Sequence, residues 1–478
     1  MSRRSCLLSS QRFNGCRVDD SFSHFFCFCC GDVGIWIEWS AKLILRGYLD
    51  DSQMDFNDDD GGEIHHLTTS SFFSMLCTQI EKMSFIPSSS QQQDGSSHIT
   101  EAIHCVCCYP WNDVNFDRNF ILYGGENTVY LSTYRLETKK TSEIWYVDDE
   151  MDCPYGFSDV SKPLFQESTH GNRIVKLAFA PLQNTDYKLT FATIDNMNTI
   201  RVYRVEKPIH TTSTQKYRFG LIANISNVHS SPINSVCFLQ NNMDGIEGLN
   251  LVTVSDDHRC VLTTISSSEQ NKYFTKVIYD SPSSALVSVN VRNINEIVVG
   301  QQYPGTLQVL DFRTLSSKLK PVVSLKSNKI GSLYDSDVHT LRNEWIGAAI
   351  GKDFCIFDCR QASDTDSSIL HQQEAHPSNV CKRFRWAPTQ NPSQQLFATT
   401  NQYDTVKIWD TTNCAIDQSS SPFSEKQQSA NFTFKQNYRI GGISWTNSIH
   451  LPLTETSIRK LPCLMAGGDR KLHCYCLQ

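Results

Sequence analysis

The feature that most constrains this chain is a unit that recurs along it. Residues 376–410 read HPSNVCKRFRWAPTQNPSQQLFATTNQYDTVKIWD. A His precedes a strand-like segment, NVCKRFRWAP, whose side chains alternate between two faces. A second apolar run, LFATT, leads into a turn, and a third, TVKIWD, closes on Trp409 and Asp410. Short apolar strands at even spacing, separated by turn residues, predict an all-β repeat architecture. A unit of this size cannot bury its apolar faces alone, so neighbouring units must stack on one another.

The same order of parts recurs with weaker signatures. His229 precedes INSVCFLQ and then LNLVTVSDDHRCVLTTI, and His170 precedes NRIVKLAFAP and then LTFATIDNMNTIRVYRV. ALVSVNVRN leads to EIVVGQQYPGTLQVLDFR, and SLYDSDVHTL leads to EWIGAAIGKDFCIFDCR. EAIHCVCCYP with NFILYGGENTVYLSTYRLE, and RIGGISWT with LPCLMAGGDRKLHCYCLQ, complete seven units. Three polar stretches near 137–168, 361–374 and 411–436 read as insertions and are expected to be surface loops. With them set aside, each unit takes about 44 residues, against about 40–45 for a WD-type blade. The chain is therefore predicted to be an all-β, seven-bladed WD40-type β-propeller over residues 83–478.

Residues 1–82 contain no such unit. They are cysteine-rich, then acidic (DDDGGE at 58–63), and are expected to be disordered, poorly structured or absent from the mature protein. Met54, Met75 and Met83 each offer a later start. Cys27, Cys29 and Cys30 lack the second Cys or His pair of a zinc site, so no metal is expected there. The last strand, KLHCYCL, is a third strand, which leaves the seventh unit without its outer one. An N-terminal segment, 83–87 or else part of 97–100, is expected to fill that edge. A chain beginning at Met83 is then expected to unfold at nearly the same temperature as the full one.

Composition narrows the partners. The 478 residues carry 50 acidic and 43 basic side chains, a formal net charge of -7. That balance does not attract nucleic acid in bulk. The cysteines number 19 and form no framework; Cys237, Cys260, Cys355 and Cys474 fall at strand positions. They read as reduced, buried thiols of a cytosolic or nuclear protein. The start, MSRRSCLLSS, is a poor secretory signal, and the apolar stretch 25–49 is broken by Asp32, Glu38, Lys42 and Arg46, so no membrane span is expected.

The polar signature residues are candidates for a structural network rather than a reaction. They are His229, Ser255 and Asp257 in the third unit, His376, Trp409 and Asp410 in the sixth, and Asp469, with Tyr475, in the last. Buried polar groups of this kind must satisfy one another. Thr263 stands where the third unit would carry its Trp. His229 and Asp257 beside Ser255 have the composition of a hydrolytic site. Their recurrence as blade parts, with no nucleophile elbow or oxyanion motif, favours architecture. Tyr123-Gly124-Gly125 and Gly467-Gly468-Asp469 lack the Lys and spacing of a phosphate loop. No enzymatic activity, cofactor, metal or small-molecule substrate is expected.

Five stretches, in order over about residues 100–478, resemble one family: ILYGGENTVYL, VSDDHRC, FRWAPTQNPSQQLFATT, GGISW and MAGGDRKLHCY. They are similar to the WD-repeat nucleoporins of the Y-shaped outer-ring complex of the nuclear pore. FRW followed by LFATT, and the AGGDRKL ending, are more specific than generic WD signatures. The resemblance implies a scaffold subunit at the nuclear envelope that binds a large helical-repeat nucleoporin and other Y-complex subunits. It implies a part in pore assembly, protein transport and mRNA transport, and an association with kinetochores in mitosis. Thr263, the long insertions and residues 1–82 depart from the family pattern. The alternative is a WD-repeat adaptor in another assembly, such as a chromatin or ubiquitin-ligase complex.

Overall fold

Six repeats become four-stranded antiparallel sheets and the first a five-stranded one, and the seven sheets follow one another in the computed structural model. The structure describes residues 80–85 and most of 101–477, apart from 111–118, 139–145, 148–149, 152–154, 159–162, 170, 182–187, 207–216, 240–247, 267–268, 314–317, 362–367, 389–395, 411–429, 431, 437–438, 447–448, 455–456, 462 and 469. The expected metal-free cysteines 27, 29 and 30, residues 1–79 of the stretch 1–82 expected to be disordered, His170 and Asp469 lie outside the described residues, whereas residues 80–82 are part of a strand.

From the axis outward, blade 2 consists of Ile174–Phe179, Lys188–Asp195, Ile200–Glu206 and Arg218–Ile225. Blade 3 is Ile233–Phe238, Gly248–Ser255, Arg259–Ser266 and Tyr273–Asp280. Blade 4 is Leu286–Asn293, Glu296–Gln301, Thr306–Asp311 and Pro321–Lys326. Blade 5 is Leu333–Val338, Trp345–Ile350, Asp353–Asp358 and Ile369–Glu374. Blade 6 is Cys381–Trp386, Leu396–Asn401, Thr405–Asp410 and Phe432–Lys435. In blade 1, Cys105–Cys108, Asn119–Gly124 and Thr128–Thr138 are followed by two outer segments, Phe165–Ser168 and Tyr155–Ser158, which share the long third strand.

Blade 7 closes the ring. Its strands Ile440–Trp445, Cys463–Gly468 and Lys471–Leu477 receive Ile80–Phe85 as the outer fourth, antiparallel, in register from Ile80↔Leu477 to Phe85↔Leu472. The missing edge is thus filled from the N-terminal side, and the strand begins three residues ahead of Met83. A further hairpin, Ile449–Thr454 with Ser457–Leu461, is inserted between the first two strands of this blade.

The stretches read as insertions hold structure. The outer strands of blades 1, 5 and 6 lie within them. Outer strands are half solvated, and Phe165–Ser168 and Phe432–Lys435 alternate between half-buried and exposed residues, so their sequences are polar enough to read as loops. Second strands show the opposite pattern. Trp345–Ile350 is buried along its whole length, because a neighbouring blade covers each face of its sheet.

The core consists of layers between adjacent blades. Between blades 5 and 6, Phe354, Phe384, Trp386, Phe397 and Trp409 form one aromatic cluster. Gly347 is required there, because a Cβ at that position would meet the Phe384 ring at 2.0 Å. Between blades 7 and 1, Cys108 N–H donates to Ser444 Oγ at 2.9 Å.

The chain divides into two units. One is the propeller, Ile80–Thr138 with Tyr155–Gln478; the other is Met1–Gln79 with Lys139–Pro154, whose described residues form a short ladder between Tyr146–Val147 and Glu150–Met151. Among the described residues no helix is long and apolar enough to cross a membrane.

Antiparallel order places two sets of connections on opposite faces of the ring. The links between first and second strands, and between third and fourth, emerge on what we term the lower face. The links between second and third strands, and between blades, emerge on the upper face.

Candidate functional site

The signature residues of blade 3 meet below the upper face. The Asp257 carboxylate lies 3.0 Å from His229 Nδ1 and accepts from the N–H groups of Ser230 and Arg259. His229 Nε2 lies 2.8 Å from Thr253 Oγ1. The hydroxyl partner of the His is therefore Thr253. Ser255, expected in that place, instead donates to the Ser231 carbonyl and accepts from Asp257 N–H, closing the turn. Thr263 does occupy the Trp position, and its Oγ1 has no hydrogen-bond partner in the described structure.

Blade 6 shows the fuller network. Trp409 Nε1 donates to Thr399 Oγ1 at 3.0 Å, and His376 Nε2 lies 3.2 Å from the same oxygen. Asn401 takes the turn position and accepts from the N–H groups of Tyr403, Asp404 and Thr405. Asp410 ends the third strand opposite Leu396. In blade 7, Gln436 takes the His position and donates from Nε2 to the hydroxyl of Tyr475.

The Asp257–His229–Thr253 chain has the connectivity of a hydrolytic triad. It is sealed, however: Thr253 is 0% exposed, so no substrate reaches its oxygen. The network holds the loop between blades to the following sheet. Among the described residues no group of three metal-ligating side chains gathers.

Burial of these histidines, and of His339 directly after the inner strand of blade 5, makes folding sensitive to acid. Desolvation pushes His376 down to about 4, with Lys407 adding to the effect, and pushes His339 down to about 4, with Arg342 adding. His229 is lowered too, burial outweighing the Asp257 carboxylate. An unfolded His titrates near about 6.5. Between about 6.5 and about 4 the unfolded chain binds protons that the folded one refuses, so stability is intact above that window and is lost as the pH falls through it. Urea unfolding between about pH 7.5 and about pH 5 should show falling stability, with a smaller slope in His376→Gln. An unchanged slope would place the sensitivity elsewhere.

A second constellation lies on the lower face of blades 4 and 5. Both third strands end in Asp-x-Arg, Asp311-Phe312-Arg313 and Asp358-Cys359-Arg360. In each, the guanidinium forks back onto the carboxylate: Arg313 Nη2 lies 2.6 Å from Asp311 Oδ2, and Arg360 Nη2 lies 2.6 Å from Asp358 Oδ2. Arg313 holds Asp311 below the usual carboxylate range. The two forks join through one chain of contacts. Arg313 reaches Glu296 at 3.8 Å, Glu296 pairs with Arg292 at 2.7 Å, Arg292 Nε donates to the Asn343 carbonyl at 2.9 Å, and Glu344 reaches Arg360 at 3.5 Å.

Despite these contacts the side chains of Arg313 and Arg360 are 65% and 64% exposed. The links between the first and second strands of the same two blades carry Ile294 and Leu341, 56% and 51% exposed, and Arg342 stacks on Trp345 at 4.4 Å. Pre-fixed arginines beside exposed apolar side chains are the composition of a docking anchor, because little side-chain entropy is left to lose on binding. The repeated Asp-x-Arg pattern is visible in the sequence. That the two copies sit side by side becomes clear only once blades 4 and 5 are adjacent.

The chain is a seven-bladed β-propeller with WD-like blades. No protein-family model matches it, and no curated protein matches it. Among solved structures it is similar to Raptor of Chaetomium thermophilum, at 13% identity and a TM-score of 0.48, over 79% of this chain. It spans 28% of the length of that protein. The fold assignment stands on the sheet topology.

Proposed function

We propose that this propeller is a scaffold subunit of the outer ring of the nuclear pore, a counterpart of nucleoporin thirty-seven, and that it works by binding rather than catalysis. The observation that carries docking is the lower face of blades 4 and 5, where Arg313 and Arg360 stand fixed and exposed beside Ile294 and Leu341. The partner is a large helical-repeat nucleoporin that offers carboxylates and apolar side chains to this face. Support for the nucleoporin reading comes from the resemblance of the stretches in blades 1, 3, 6 and 7. The proposed location is the nuclear envelope.

The test is a tagged full-length chain. It should mark the nuclear rim and co-purify with Y-complex subunits. An Arg313→Glu, Arg360→Glu variant should keep its unfolding temperature and lose the partner, since a central Arg anchor contributes about 2 kcal/mol or more. Recovery of chromatin or ubiquitin-ligase subunits in place of nucleoporins would assign the same face to another assembly. Full capture by the double variant would move the docking site off this face.

A further inference from the structure

The axis of the ring holds charged side chains that belong neither to the signature networks nor to the docking face. They come from the inner strands of three blades: Lys176 from blade 2, Asp335 and Asp337 from blade 5, and Arg383 and Arg385 from blade 6. Blade 2 is adjacent to neither blade 5 nor blade 6. Lys176 nevertheless senses the charges of Arg383, Asp335 and Arg385. Inner-strand groups of non-adjacent blades meet only across the axis.

The two carboxylates are already engaged with blade 6. Arg385 Nη1 donates to Asp335 Oδ2 at 2.6 Å, and Trp386 N–H donates to Asp337 Oδ2 at 2.9 Å. Arg385 spends the same nitrogen on the Phe384 carbonyl at 2.6 Å. Arg383 and Lys176 are different. Among the described residues neither has a carboxylate at ion-pair distance or a hydrogen-bond acceptor. Both side chains are only half-buried, and a guanidinium and an ammonium on inner strands with no protein acceptor form a like-charged pair whose repulsion a bound anion relieves.

We propose that the axial channel binds a small tetrahedral dianion, phosphate or a phosphate monoester, between Arg383 and Lys176. Two unpaired cations match two negative charges, whereas a lone carboxylate leaves one cation unmatched. Phosphate carries about -1.5 to -2 charges near neutral pH. The planar fork of Arg383 suits two phosphate oxygens at once, and Lys176 supplies a point charge to a third. Burial and the neighbouring arginines push Lys176 down to about 7, so an arriving dianion favours its protonated form. The site is independent of the nuclear-pore reading.

Thermal unfolding of the full chain tests this, with inorganic phosphate titrated at constant ionic strength against acetate. A ligand that binds only the folded state raises the unfolding temperature with concentration. The expected result is a saturable rise with phosphate and none with acetate. Phosphate also stabilises proteins through exclusion from their surface, so Arg383→Gln and Lys176→Met are measured alongside. Each should lose the saturable rise. Without phosphate each should unfold at or above the temperature of the parent chain, because an uncompensated charge has been removed. A purely structural role predicts a lower temperature for both. Equal phosphate responses in parent and variants, or no saturable response in the parent, would overturn the site. Calorimetric titration of inorganic phosphate at 25 °C gives an independent measure and should show binding to the parent chain alone.

Discussion

A Trp409→Ala variant should unfold with a free energy about 3–5 kcal/mol below that of the parent chain. The ring of Trp409 is 2% exposed and lies between sheets. It stacks on Phe397 at 6.1 Å, packs against Phe354 at 4.9 Å, and fixes the Thr399 hydroxyl through Nε1. Truncation therefore removes a large apolar volume and leaves a buried hydroxyl short of a donor. Trp409→Phe separates the two effects, since it keeps most of the packing and loses the hydrogen bond, a contribution of about 0.5–1.5 kcal/mol. Chemical denaturation of the three chains measures both. Normal unfolding of Trp409→Ala would show that the layer between blades 5 and 6 is not a main support of the ring.

The second large effect belongs to the closing strand. A chain beginning at Met83 loses Ile80, Glu81 and Lys82, which pair with Leu477, Cys476 and Tyr475. At about 1 kcal/mol per net backbone hydrogen bond, the cost is about 2–3 kcal/mol. A chain beginning at 78 should match the full one in this ladder, and one beginning at 88 should expose the whole edge of Lys471–Leu477 and self-associate. The sequence-based expectation that Met83 is a harmless start is thus revised. Unfolding temperatures and light scattering of the three chains decide it; identical behaviour from starts at 78 and 88 would show that the N-terminal strand does not hold the ring shut.

Much of the fold was legible because inner, second and third strands are short apolar runs with turn residues between them. The outer strands were not, and the reason is physical. Phe432–Lys435 and Ile369–Glu374 are half solvated, so their composition approaches that of a loop. The signature network was legible as to its place but not in every member. Thr253 rather than Ser255 meets His229, just as Thr399 rather than Asn401 meets His376 in blade 6. Single residues such as Arg313 and Arg360 repeat visibly, yet exposure and adjacency are properties of the assembled ring. The charges on the axis were least legible of all. Lys176 and Arg383 are far apart in sequence and come within electrostatic reach only after the circle closes.

That closure has a mechanical side. Ile80 faces Leu477, and the ladder runs antiparallel from there to Phe85 opposite Leu472. Tension applied through the chain at these two residues falls on the first pair alone and then on the next, so blade 7 opens like a zipper, one pair at a time and at low force. A load spread over the faces of the ring is instead shared by every sheet at once and shears many hydrogen bonds together. A scaffold held by its faces is stiff, and the same scaffold pulled by its strand ends is weak. An assembly that gripped the lower face at blades 4 and 5, away from blade 7, would leave the seam unloaded.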